Sequence, residues 1–273
     1  MASRASTSEP TGGDLVYRQR RPIRLWHWLN ALSVVIMLMS GLMIFNAHPQ
    51  LYWGQYGTNH ERPWLEIGST DDRGFLRLGP VTIPTTGVLG ISNGQQNAFP
   101  SLVTIPSSYN LAGARQWHFF FAWLLVVPGL LFWLWGFATR HVQRDLAPTG
   151  DELRPHNLWQ DVKDHARLRF HTGEAARRYN VLQKLSYVGV IFGLLPAMVL
   201  TGLTMSPAID AAWPWLLDLF GGRQSARSIH FICAALLFGF ILVHLLMVVL
   251  AGPLNELRSI VTGWYRLPKE REE

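Results

Sequence analysis

Four stretches of this sequence are long and apolar enough to cross a lipid bilayer, and that leaves the chain few folds. They run from about Ile23 to Phe45, Arg115 to Phe137, Leu182 to Met205 and Ser228 to Leu250. A spanning helix needs about 20 predominantly apolar residues, and each stretch is near that length. Hydrocarbon offers no hydrogen-bond partners, so the backbone must satisfy itself, which a helix does within one segment. The expected fold is an all-α integral membrane protein, a four-helix transmembrane bundle with a long extracytoplasmic loop. Pro196 predicts a kink in the third span, and Gly252-Pro253 ends the fourth. Buried helices of a large soluble domain are the bland alternative. Only 15% of residues are charged, against about 25% in soluble domains, which disfavours it.

Lys and Arg set the orientation. Arg4, Arg18, Arg20, Arg21 and Arg24 lie before or at the start of the first span, nine basic residues run from Arg140 to Lys184, and Arg258, Arg266, Lys269 and Arg271 follow the fourth span. The opposite side holds six: Arg62, Arg73, Arg77, Arg115, Arg223 and Arg227. The positive-inside rule places both termini in the cytoplasm. The net charge of +6 reflects that topology. No basic helix carries base-reading partners, so nucleic acid is not an expected ligand. Met1 to Gly13 is polar and does not look like a cleavable signal peptide, so the first span is expected to direct insertion.

Two connections are long. Ala47 to Gly113 faces outside, is rich in Gly, Pro and aromatics, and is expected to form short strands or turns around residues 79–90. The inner connection, Ala138 to Tyr179, contains an amphipathic stretch, 157–170, suited to a helix on the membrane surface, and Asn255 to Leu267 reads the same way. The domain plan is a cytoplasmic tail over 1–22, the four-span domain over 23–253 and a second cytoplasmic tail over 254–273.

Four of the ten histidines lie in spans: His27, His118, His230 and His244. His230 and His244 are fourteen residues apart on one helix. That spacing covers ~21 Å and returns to within ~40° of the same face, so one helix presents an imidazole near each side of a core ~30 Å thick. Heights pair His118 with His230 outside and His27 with His244 inside. Neutral imidazoles from facing helices can hold one haem in a bundle interior. Two pairs at two depths therefore suit two stacked haems. The single cysteine, Cys233, excludes Cys-x-x-Cys-His attachment, a self-contained iron–sulfur cluster and an internal disulfide, so any haem is noncovalent and b-like. The ordinary reading of one interfacial histidine is a hydrogen-bonded side chain, which four matched positions outweigh. His48, His60, His141, His156, His165 and His171 are in loops, and His165 and His171 are not at zinc-motif spacing with other ligands.

Gly41 follows His27 by the same fourteen residues and falls on nearly the same face at the outer height, where a missing side chain makes room for a flat macrocycle. Gly189 and Gly202 hold comparable positions in the third span, with close helix packing as the alternative. Arg24 inside, and Arg115, Arg223 or Arg227 outside, are candidates for pairing with haem propionates. Snorkelling is the alternative for each.

These residues together resemble a known family, the bacterial dihaem cytochrome b membrane subunits of the cytochrome b-561 type. Its members serve nickel–iron hydrogenases, formate dehydrogenase as the gamma subunit, thiosulfate reductase and related molybdenum enzymes. The motifs that carry it are Arg24-Leu-Trp-His27-Trp, His118 opening the second span, and His230 with His244 in the fourth, over about Tyr17 to Leu267. The resemblance implies two b haems, ligated by His118 with His230 and by His27 with His244. It also implies a quinone site near the cytoplasmic haem, a redox partner docked outside, and a bacterial inner-membrane location. The Leu51-Tyr-Trp-Gly-Gln-Tyr-Gly segment and the long outer loop look most like members that accompany periplasmic molybdopterin oxidoreductases. A molybdopterin partner is therefore expected over a hydrogenase.

The leading expectation is an electron-transfer subunit of a larger oxidoreductase, not an enzyme by itself, working between the quinone pool and that partner. The inner ends of the first and fourth spans, with Trp26, Asn30 and Tyr179, are where a quinone pocket is expected. The alternatives are a haem-free transporter or proton channel, and an anchor whose haems are structural. The spans offer a transporter few polar groups beyond Asn30, Ser33, Ser40, Ser186 and Thr201.

Overall fold

The computed structural model describes residues 13–57, 61–167 and 179–267. Arg4, His60, His171, Lys269, Arg271 and the end of the amphipathic stretch 157–170 lie outside them. Strand β1 (Leu15–Tyr17) leads into α1 (Arg21–Asn46). Strands β2 (Gln50–Leu51), β3 (Leu65–Ser69), β4 (Gly74–Leu78) and β5 (Val81–Pro84) follow, then α2 (Leu111–Ala138) and α3 (Pro155–Ala166). Helix α4 (Val181–Thr204) precedes two short helices, α5 (Pro207–Ala212) and α6 (Pro214–Leu219). Helices α7 (Arg223–Ala251) and α8 (Pro253–Thr262) and strand β6 (Trp264–Arg266) complete the described chain.

Helices α1, α2, α4 and α7 are each long and apolar enough to cross a membrane. Large side chains such as Phe120, Trp123 and Leu134 of α2 are exposed, as lipid-facing surface requires. Helix α7 starts five residues before the expected Ser228, because the polar residues Arg223 to Arg227 continue its first turns beyond the apolar stretch, and α2 starts four before Arg115, at Leu111. Helix α4 opens on a capping box: Asn180 Oδ1 accepts from Gln183 N at 2.8 Å, and Gln183 Oε1 accepts from Asn180 N at 3.3 Å. The irregularity expected at Pro196 takes the form of a π-helical segment, Gly189–Leu194, directly before it.

The chain divides into two compact units, each assembled from parts of the four long helices. One comprises Met1–Trp28, Leu130–Phe192 and Phe240–Glu273. In it β1 and β6 pair antiparallel, Val16 opposite Tyr265, and bury Val16, Tyr265 and Leu267. The surface helix expected over 255–267 therefore ends at Thr262, and the residues beyond Gly263 form a strand. Gly263 makes the break at φ 93°. A Cβ there would lie 2.5 Å from the Tyr17 ring, so glycine is required for the close approach. Arg18 sits 3.7 Å from the Glu256 carboxylate and over the Tyr265 ring, 4.6 Å from its centre. Lys184 donates to Glu152 at 2.8 Å.

The other unit comprises Leu29–Gly129 and Gly193–Gly239. Its connection after α1 is an antiparallel sheet in the order β2-β3-β4-β5, so the expected short strands are present and extend from residue 50 to 84. Leu51, Leu65 and Ile67 of the sheet bury against Phe45 of α1 and Ala98, with Phe231 of α7 alongside. Asn46 fixes the returning chain through two bonds with the Phe99 backbone, at 2.8 and 3.1 Å.

Candidate functional site

The four span histidines come together as the two expected pairs, one in each unit. His118 of α2 faces His230 of α7 with ring centroids 6.3 Å apart and planes inclined at 56°. His27 of α1 faces His244 of α7 at 6.4 Å and 55°. An imidazole nitrogen binds a first-row metal ion at about 2 Å. With ring bonds of about 1.3 Å, that nitrogen stands about 1.1 Å from its ring centre. Two imidazoles on opposite sides of one ion thus have centroids about 6 Å apart. Both pairs stand at this separation.

The donor set narrows the chemistry. Among the described residues no group of three or more His, Cys, Asp or Glu comes together to hold a metal. Each pair supplies two ligands only, too few for a bare zinc ion. A haem brings most of its iron's ligands itself, so the residues present fit it: each histidine pair would hold the iron of one haem.

The surroundings of the pairs differ. His118 lies over Gly41, where a Cβ would meet its Cε1 at 3.5 Å, and His230 lies over Gly202, at 3.4 Å. Both glycines thus make room for an imidazole edge. Gly189 meets nothing within 4 Å of its Cβ position. Two fully buried hydroxyls, Ser40 and Thr201, stand 3.1 and 3.0 Å from Nδ1 of His118 and His230. In the other unit Trp28 packs edge-on to His27 at 5.2 Å, and Phe240 stacks on His244 at 5.8 Å. His27 Nδ1 is buried and has no hydrogen-bond partner among the described residues. Such an orphan is a cost unless something binds the ring.

Three of the four candidate arginines hold backbone. Arg24 donates to the Val261 carbonyl, Arg223 to the Met205 carbonyl at 3.0 Å, and Arg227 to the carbonyls of His48 and Gln50. Arg115 lies over the Phe119 ring, 5.8 Å from its centre. Trp26 stacks on Phe132 at 4.2 Å, and Tyr179 accepts from Gln19 at 2.9 Å. Asn30 Oδ1 is buried without a hydrogen-bond partner among the described residues.

The sequence reading missed how the connection between α1 and α2 secures α7. The N–H groups of Gln224 and Ser225, which open the helix and have no intrahelical acceptor, donate to the Gly54 carbonyl at 3.0 and 3.1 Å. Ser225 Oγ accepts from Gly54 N at 2.7 Å, and Ser228 Oγ accepts from Trp64 Nε1 at 2.9 Å. With Arg227, these bonds fix the turn that presents His230. The dense Arg, Ser and Gln before His230 was the only sequence sign of it.

The family described as prokaryotic cytochrome b561 matches residues 18–263. Among curated relatives, the putative protein-methionine-sulfoxide reductase subunit YedZ1 of Azospira oryzae is 28% identical, over 84% of this chain and 88% of the relative. The putative cytochrome YdhU of Escherichia coli is 25% identical, over 93% and 76%. A probable Ni/Fe-hydrogenase B-type cytochrome subunit of Azotobacter vinelandii is 22% identical, over 94% and 91%. No solved structure matches. This multi-pass membrane protein thus belongs to the prokaryotic cytochrome b561 family, as a b-haem-binding electron-transfer subunit.

Proposed function

We propose that the chain is a dihaem cytochrome b that carries electrons between the quinone pool and an extracytoplasmic oxidoreductase. The observation that supports this reading most is the repeated imidazole separation, 6.3 Å for His118–His230 and 6.4 Å for His27–His244. His118 and His230 would hold one haem, and His27 and His244 the other. Bound haem iron supplies reversible one-electron chemistry. The protein's part is to fix the ligands, to keep both sites among apolar helices, and to join them through α7, which contributes a ligand to each.

The outer connection is the proposed docking platform. Its sheet is packed on Phe45 and Phe231, and its first strand is tied by Arg227 to the helix turn that carries His230. We take the partner to be molybdopterin-dependent. Support comes from the length of this connection and from the relative whose name makes it a reductase subunit, at 28% identity against 22% for the hydrogenase subunit. The proposed topology puts both termini on the cytoplasmic side of a bacterial inner membrane, with the quinone site near the His27–His244 haem.

The test is anaerobic mixing of the purified protein with a short-chain quinol while the haem absorbance is followed. The expected result is rapid haem reduction, slowed by a quinone-site inhibitor. Normal haem content with no reduction by quinol would contradict the quinone link and support an anchor with structural haems.

A further inference from the structure

The imidazoles of His118 and His230 are held in the same way, from two different helices, by the same kind of dipeptide. Ser40-Gly41 of α1 faces His118, and Thr201-Gly202 of α4 faces His230. Ser40 Oγ donates to the Ile36 carbonyl at 2.7 Å, and Thr201 Oγ1 donates to the Ala197 carbonyl at 2.6 Å. A hydroxyl has one proton to give. With that proton on the carbonyl four residues back, the oxygen is left to accept from the imidazole. Its partner is Nδ1, at 3.1 Å in His118 and 3.0 Å in His230. Nδ1 therefore carries the ring proton, and the lone pair of the neutral ring is on Nε2.

One back-bonded Ser or Thr in an apolar helix is ordinary. Two, each directly before a glycine that faces a histidine Cε1 and each ending at that histidine's Nδ1, form a repeated cradle. Both hydroxyls are fully buried, so water does not compete for the bond; the carbonyls of Met37 and Met198, three residues before each hydroxyl, are second acceptors for the His118 and His230 rings. The His27–His244 pair shows a different pattern, since His27 Nδ1 has no hydrogen-bond partner among the described residues.

We propose that Ser40 and Thr201 are positioning residues that fix His118 and His230 as Nε2 ligands and lower the midpoint potential of the haem they hold. The inference rests on the reading of His118 and His230 as axial ligands of one haem. An acceptor on Nδ1–H makes an imidazole a stronger donor to iron and favours the oxidised state. The glycines let each ring edge come close enough to its hydroxyl.

The experiment compares Ser40→Ala, Thr201→Val and the double variant with Ser40→Thr and Thr201→Ser, which keep a hydroxyl. Haem per chain is quantified, and each preparation is titrated by spectroelectrochemistry, with electron paramagnetic resonance of the ferric form. The expected result is unchanged haem content, a rise in the midpoint potential of one haem in each single variant, and a larger rise in the double. The other haem keeps its potential, the low-spin signal of the shifted haem changes, and the hydroxyl-keeping variants match the parent. Full haem content with unmoved potentials in both single variants overturns the inference and leaves the ligand assignment standing. If Ser40→Ala loses the haem, recovery in Ser40→Thr supports the inference, and failure to recover overturns it. Failure of the ligand assignment shows separately, as a His118→Ala protein that keeps every haem.

Discussion

At the scale of single residues, the four span histidines were legible because an ionisable ring in an apolar helix needs a reason to be there. Their depth alone predicted the pairing that the structure shows. The consequence is selective loss: His118→Ala or His230→Ala should each reduce the haem content from two per chain to one, as should His27→Ala or His244→Ala for the other site. A variant that retains both haems would remove that residue from the ligand set. Ser40 and Thr201 were visible only as polar groups, since a back-bonded hydroxyl in a membrane helix looks the same whether or not it touches a ligand. The repeated hydroxyl–glycine dipeptide was the sign available. Gly41 was read as space for a macrocycle, and the structure sets its Cβ position 3.5 Å from the edge of the His118 imidazole. A methyl at residue 41 would make an ordinary 3.5 Å contact with His118. Gly41→Ala should therefore bind haem normally, while Gly41→Leu should displace the ring and lose one haem, read from the visible spectrum. Equal behaviour of the two variants would contradict this packing.

At the scale of elements, the long helices were legible from length and apolarity, and their ends were not. Polar residues such as Arg223 and Gln224 extend α7 ahead of its apolar stretch because the connection from 48 to 55 caps it, a contact between positions some 170 apart in sequence. Strands β1 and β6 were invisible for the same reason. Three residues each carry no periodic signal, and their pairing depends on Gly263. The Arg18–Glu256 contact beside that sheet makes a measurable prediction. Burial raises the Glu256 carboxyl above its ordinary range, against the pull of Arg18 and a hydrogen bond from Tyr265. A carboxyl whose folded pKa is raised favours the folded state at low pH and loses that advantage as pH rises through its folded value. Arg18→Ala leaves the carboxylate half-buried without its cation, so stability at neutral pH should fall by roughly 1–3 kcal/mol. The deficit should shrink as the pH falls and Glu256 takes up its proton. Thermal unfolding of the detergent-solubilised protein at several pH values measures it, and a deficit independent of pH would contradict the assignment.

At the scale of the whole molecule, sequence reading reached the membrane class, the number of spans and the family, because hydropathy and ligand spacing are properties of the chain alone. It did not reach the folded platform between α1 and α2, whose core of Leu51, Leu65, Ile67 and Phe45 joins residues from separate segments. That platform and the two imidazole pairs underlie the proposed function, a membrane subunit with two haem sites joined by α7, one of them beneath a surface suited to a partner. The account's central claim is the number of haems. Purified protein, expressed with adequate iron and haem supply, should contain two noncovalent b haems per chain, measured as the pyridine haemochrome against protein concentration. A well-folded preparation with one haem or none would contradict it.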